Sequence, residues 1–415
     1  MRPQIRPPVL LAYATFVLVG LGAGVGGVLL LAQLADYGVD RATIGITFFT
    51  GSVGFVLGGL TTGPLLHRYG PRVTMTVGGA AFLLVGLYLA SRPPFVAFVL
   101  AQLVVGYAGG LLESALNAYL TTLPDAPTLL NRLHAFFGVG ALIGPALATW
   151  IVDAASWPVV WLVLAIACAP LLVGFILAYE GRRPPRVDEA PADGAPVHEA
   201  PVEVAPVATG GLLRRALVDR GVLLGSVMLT VYVGLEIGVG NWGYSYLVNG
   251  RGLSALLAGY SVSGYWLGLT LGRFVISPVA SRLGASVVGL MYTSLTGVAV
   301  AALLAWLSPG RVLASLALIP LGFFLGPIFP TTMAIAPQLT SQRLVPTAIG
   351  VMNAGSVVGG AALPWLAGAL GQGIGIWTLL PFAVTLAVLQ FAVWWPIANR
   401  IRVPVPRAPL PESAG

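Results

Sequence analysis

A chain of 415 residues that is 57% hydrophobic and 8% charged, with a mean hydropathy of +0.91, cannot present the solvated surface of a soluble domain. Its net charge of +7 comes from 21 basic residues, all arginine, against 14 acids. The arginines are scattered over short breaks and tails beside apolar stretches, so membrane topology explains the basicity and nucleic-acid binding is set aside.

The amino terminus, MRPQIRPP, leads into an apolar stretch with no small-residue cleavage signal, which predicts a retained first helix. A hydrocarbon core of roughly 30 Å takes about 20 apolar residues per helix. Runs of that kind predict helices over 9–34, 43–66, 73–91, 95–123, 132–152 and 158–179, and then over 221–247, 255–281, 285–307, 311–336, 344–370 and 375–398. The alternating pattern of a membrane barrel is absent.

Between the two sextets lies EGRRPPRVDEAPADGAPVHEAPVEVAPVATGGLLRRALVDR, rich in proline, alanine and acids, which predicts a flexible linker. The chain divides accordingly into a six-helix bundle over 1–180, a cytoplasmic linker over 181–219, a second bundle over 220–400 and a cytoplasmic tail over 401–415. Most arginines then fall on the side of the termini, leaving Arg41, Arg92, Arg251 and Arg311 on the other. That bias predicts a multi-pass protein of a bacterial inner membrane with both termini in the cytoplasm.

The sextets read as copies. Shifted by 214 residues, VGLGAGVG from Val19 meets VGLEIGVG from Val233, and the register continues through Gly38 and Gly252, Gly54 and Gly268, Gly58 and Gly272, and Gly70 and Gly284. A shift of 216 pairs Gly106 with Gly322 and Gly110 with Gly326; a shift of 215 pairs Gly140 with Gly355 and Gly144 with Gly359. Parallel repeats of this kind carry a substrate site at mid-depth, between halves that rock against each other.

All but two of the acids fall in loops, tails or the linker; the two are Glu113 in the fourth span and Glu236 in the seventh. An ionisable group in hydrocarbon costs about 2.5–3.5 kcal/mol on insertion scales, so both are expected to face a cavity and to serve a pathway or a partner. The alternative is a structural carboxyl, bonded to a neighbouring helix. Asn117 and Gln102 project on roughly the side of Glu113, and Asn241 and Trp242 follow Glu236. Carboxylate, amide and aromatic groups together suit a polyhydroxylated ligand, although each amide also suits a tie between helices and Trp242 an interfacial anchor. Asn353 and Gln33 are weaker members of the same set. His134, at the start of the fifth span, is read as a relay or a capping histidine, and Arg273, about two turns inside the eighth, as an inner-gate residue.

Other chemistries find no support. Three histidines far apart and one cysteine, Cys168, make no metal site or intrachain disulfide. No lysine is present for a nucleotide-binding loop, no catalytic triad is visible, and neither an enzyme nor a cofactor is expected.

GPLLHRYGPRV, from Gly63, resembles the cytoplasmic loop signature of the major facilitator superfamily, with SPVASRLGASV, from Ser277, as its weaker copy. His67 and Ser281 stand where the signature has an aspartate. The resemblance implies gating roles for Arg68, Arg72 and Arg282, and a twelve-helix, all-α fold whose fourth and seventh helices line the cavity. ESALNAYLTTL from Glu113, YVGLEIGVGNW from Tyr232 and GPIFPTTMA from Gly326 are similar to the fucose, galactose and glucose proton symporters and their sodium-dependent glucose relatives. That likeness implies a role in sugar transport for Glu113, which takes a proton from outside as a hypothesis of mechanism. The first helix lacks the aspartate of the fucose permease, and under the repeat Glu236 falls opposite Gly22, so the acid is supplied by the other half or proton coupling is weaker or absent.

The expected protein is a monomeric transporter for a hexose-type sugar, working by alternating access as a symporter with H⁺ or Na⁺ coupling or as a uniporter. A proton-driven exporter of amphipathic compounds and a non-transporting receptor or scaffold stand as alternatives, since fold does not fix substrate.

Overall fold

In a computed structural model the structure describes residues 7–180, 209–282, 284 and 286–402. Most of the predicted linker, 181–208, and the tail from 403 lie outside the described residues. The remainder is helical, because a chain in hydrocarbon must satisfy its backbone polar groups within itself. Threonine and serine hydroxyls inside the helices do the same, bonding back to the carbonyl four residues earlier at Thr15, Thr62, Thr149, Thr230 and Thr332.

The first half contains α1 (Pro7–Tyr37), then one continuous stretch, Ile46–Ala90, that Gly70 at φ 78° breaks into α2 (46–69) and α3 (71–90). It continues with α4 (Phe95–Thr121), α5 (Ala126–Ala154) and α6 (Trp157–Ala178). The second half holds α7 (Arg220–Ser245), α8 (Ala255–Arg282), α9 (Val287–Leu307), α10 (Arg311–Ala334), α11 (Val345–Gly373) and α12 (Leu379–Arg402). Among the described residues these segments group into twelve rods, with the predicted boundaries moved by a few residues. Thr209–Val218, at the end of the predicted linker, is a further short helix, after which Asp219 caps α7 by accepting from the amides of Gly221 and Val222. Before α2, exposed Asp40 caps the turn Arg41–Ile44, and the bond it accepts from the Thr43 amide holds its carboxyl below the ordinary carboxylate range.

The repeat read from glycines has the same backbone in both copies. Gly38 and its partner Gly252 end the first helix of each half at φ 63° and 65°, and Gly70 and Gly284 turn the loop after the second at φ 78° and 66°. Only glycine takes such angles without strain. Matched glycines also bring matched helices together: Gly54 and Gly58 meet α4 as Gly268 and Gly272 meet α10, and Gly140 and Gly144 meet α1 as Gly355 and Gly359 meet α7. One difference stands out. Where α4 is unbroken, α10 falls into Arg311–Leu316, Leu318–Leu325 and Ile328–Ala334, because Pro320, Pro327 and Pro330 remove the amides that would join the segments.

The halves touch on one side. Phe48 packs edge-on to Trp242, Phe49 to Trp365, Gly27 lies under the backbone of Gly240 and Asn241, and Gly259 lies against Thr149. All belong to the ends of the helices away from the chain termini, here termed the outer ends. Nearer the termini, Gly138 on α5 lies against Thr270 on α8. Beyond it the buried core divides: one body spans the second half and the outer end of the first, and a separate one, including Phe16, Met75, Leu116 and Phe175, fills the terminus-side end of the first half alone. The molecule is therefore closed at the end away from its termini and parted at the other.

Candidate functional site

Just terminus-side of the Gly138–Thr270 contact, three helices bring titratable groups to a similar depth, and a fourth carries Glu236 deeper in the molecule. Glu113 lies eight residues from the end of α4, His134 eight from the start of α5 and Arg273 nine from the end of α8. At 1.5 Å per residue each is roughly 12–14 Å inside its helix end. Glu236 comes from α7.

The centre of the group is an ion pair. Arg273 Nη2 donates to Glu236 Oε1 at 3.1 Å, with the side chains 27% and 9% exposed. Tyr265 donates to the backbone carbonyl of Glu236 at 3.0 Å, and the buried Tyr232, one turn before Glu236, lies against both partners. Arg273 keeps Nε buried and unbonded, so the pair does not saturate the guanidinium. Across the gap the charge of Arg273 acts on both Glu113 and His134. The Glu113 carboxyl, half-buried, makes no hydrogen bond or ion pair among the described residues. A methyl group on Gly22 or Gly109 would meet nothing within 4 Å. The arrangement is one cation, one bonded carboxylate and one unbonded carboxyl, with the last on the opposite half.

The other predicted residues are distributed more widely. Asn117 donates to the Glu113 backbone carbonyl at 2.8 Å, one turn along α4. Gln102 has a buried amide nitrogen without a partner and lies near the start of α4. Asn353 is exposed, accepting weakly from Ser356. Gln33 is buried at the outer end of α1. Asn241 donates to Ile237 and presses its oxygen on Gly26, and Trp242, wholly buried, donates to Pro364 O at 2.8 Å and packs over Gly368. These two sit in the outer closure, away from the Arg273 group. His134 is exposed, edge-on to Phe16. Arg72 donates to the carbonyl of Tyr179 at the end of α6, Arg68 lies over the Tyr69 ring, and Arg282 is exposed at the end of α8.

Sequence reasoning passed over two groups. Tyr232 and Tyr265 surround the ion pair, and the four-residue step from Tyr232 to Glu236 was the available signal. The outer closure also uses Arg41, whose Nη1 donates to Gly371 O at 3.3 Å, and Trp365, which donates to Ala42 O at 3.2 Å.

Residues 11–284 match the family model described as "Major Facilitator Superfamily". The chain is 24% identical to "Bypass of stop codon protein 6" of Saccharomyces cerevisiae, over 95% of this chain and 82% of that protein. It is also 24% identical to the "Glucose/mannose transporter GlcP" of Bacillus subtilis, over 88% of each. A crystal structure of the nucleoside transporter NupG superposes with a TM-score of 0.74 at 16% identity, covering 94% of this chain and 100% of that one.

Proposed function

The chain belongs to the major facilitator superfamily, and from that premise we propose that this transporter moves a hexose-type sugar by alternating access, coupled to a cation, with H⁺ first. The observation that carries the reading is Arg273, held by Glu236 within one half while its charge acts on Glu113 in the other. The similarity to a glucose/mannose transporter supports the sugar.

The arrangement gives a coupling step. Ionised Glu113 and Arg273 attract across the parted halves without forming an ion pair here; once brought within 4 Å, two unit charges would be worth about 4 kcal/mol at an effective dielectric of 20. That attraction favours bringing the terminus-side ends together. A proton taken by Glu113 cancels it and frees the unbonded side of the guanidinium for sugar hydroxyls. Substrate then restores the link that the proton removed, so closure requires either the empty ionised site or the doubly loaded one. In this reading Asn117 and Asn353, which flank the parted space, add hydrogen bonds to hydroxyls. The protein works as a monomer in a bacterial inner membrane with cytoplasmic termini, in accord with the arginine bias.

The test is uptake of a radiolabelled sugar panel into proteoliposomes, with and without imposed proton and sodium gradients. Glu113→Gln should abolish proton-driven accumulation and spare exchange. Uphill uptake unimpaired in that variant overturns the coupling role, and failure of every sugar to bind or move favours export of amphipathic compounds.

A further inference from the structure

On the outer end of the second half, α8 and α10 part. Through mid-membrane Gly268 and Gly272 let the backbones touch, with Gly322 and Gly326 doing the same from α10. Nearer the outer end the facing positions carry Leu257, Ser261, Val312 and Leu316, and the helices diverge around a cleft of about 670 Å³. On α8 Leu257 and Ser261 each stand two residues from Gly259, about 160° round the helix at 3.6 residues per turn. Since Gly259 faces Thr149 of the other half, the cleft faces the bilayer.

The wall is apolar except at its outer rim. Leu257, Val312 and Leu316 are exposed, and the hydroxyls of Ser261 and Ser315 are donated to their own helices. The charged lining group is Arg311, at the first residue of α10. It is less committed than Arg92 and Arg251 at this end, and unlike Arg41 it takes no part in the contact between the halves. Arg92 is paired with Asp36, Arg41 bonds Gly371, and Arg251 bonds the carbonyls of Ala305, Trp306 and Ser308. Arg311 gives one bond, to Gly252 O at 2.9 Å, and no carboxylate bonds it among the described residues. Most of its five N–H groups are left to a ligand. Nor does the other half repeat the feature: the 216-residue shift puts Phe95 opposite Arg311, and Phe95 packs in a ring cluster with Tyr37 and Phe98.

A cation at the membrane boundary above an apolar, bilayer-facing slot matches one class of molecule, with an anionic head and a hydrocarbon tail. We propose that this cleft binds a membrane phospholipid, its phosphate on Arg311 and one acyl chain along Leu257, Leu316 and Ile319. The lipid would wedge α8 against α10 on the face opposite the contact between the halves. The site is independent of the transported substrate.

The experiment is native mass spectrometry of the full chain in mild detergent, titrated with dioleoyl phosphatidylglycerol, dioleoylglycerol or inorganic phosphate. Retained phosphatidylglycerol is expected, with dioleoylglycerol held at least about tenfold more weakly, as loss of a charge-assisted bond implies. Arg311→Gln should weaken the phospholipid about tenfold and Arg311→Lys should restore much of it, while Leu316→Trp, which fills the slot, should also lower occupancy. Phospholipid retained equally by Arg311→Gln and Leu316→Trp, dioleoylglycerol retained equally by the wild type, or full displacement by phosphate alone would each overturn the proposal.

Discussion

Replacing Glu236 with Gln tests the ion pair at the centre of the molecule. Arg273 would stay in place with its Nε already unbonded, and would lose the carboxylate that neutralises it. Stranding one member of a fully buried pair costs about 3–5 kcal/mol. Here the arginine side chain is 27% exposed and the glutamate 9%, so water reaches one side and about 2 kcal/mol is the better expectation. Arg273→Gln should cost a similar amount by leaving Glu236 unpaired. The double variant removes both charges and leaves two amides able to bond each other, so its loss should be smaller than the sum of the single losses by at least about 1 kcal/mol. Thermal unfolding of the four proteins in one detergent, at a pH where the carboxylate is ionised, measures this. A double variant whose loss equals the sum would refute the pair as an energetic unit. Sugar exchange measured alongside separates stability from function: the double variant should regain folding but not proton-driven accumulation, since the cation facing Glu113 is gone.

Two further outcomes follow from the contact between the halves. Trp365→Phe keeps the ring against Phe49 but loses the bond to Ala42 O, which should weaken the outer closure by about 1 kcal/mol, a fivefold change in population. The readout is labelling of Gln33→Cys, buried near the outer end of α1, by an impermeant maleimide; Cys168 is itself buried, so background is low, and an unchanged rate would count against Trp365 as a latch. Gly138→Val should slow transport, because a Cβ there would come within 2.9 Å of Thr270 Cβ, whose hydroxyl is committed to Trp266 O. Pairing a smaller Gly138→Ala with Thr270→Gly, which removes the opposing Cβ, should restore the rate, and failure to do so would mean that the two positions do not form the pivot.

The fold was readable because its signals are one-dimensional. Apolar runs report hydrocarbon thickness, and glycines at fixed offsets report turns: Gly38 with Gly252 and Gly70 with Gly284 were paired by spacing before their shared positive φ was seen. The site was only partly readable, for a physical reason. A helix that is apolar all round carries no stripe to say which way it is turned, so Trp242 and Glu236, six residues apart on α7, could not be separated into outer closure and central pair. Arg273 was placed at the right depth, but its bond to Glu236 depends on the rotation of α8 against α7, which sequence does not give. The breaks in α10 were present in the proline spacing and were passed over.

The duplicated halves share a backbone and differ in charge, and the proposed coupling rests on that difference. Under the 214-residue shift Glu236 stands opposite Gly22 and Arg273 opposite Gly59. One half therefore carries a fixed ion pair where the other has two glycines, and a methyl group on Gly22 would meet empty space. Two symmetric pairs would each be satisfied within their own half and would not sense the gap. With one pair replaced by glycine, the first half presents instead Glu113, from a helix whose counterpart position under the 216-residue shift is Phe329, packed against Tyr232. The unbonded carboxyl and the incompletely bonded guanidinium thus lie on opposite bodies. Their attraction can be altered only by a proton, by a ligand or by motion of one body against the other. Filling Gly22 with Glu should supply a second carboxylate beside the parted space that competes with Glu113 for Arg273, and the pH dependence of exchange should then shift. An unchanged pH profile for a folded Gly22→Glu protein would show that Arg273 does not respond to charge on the facing half.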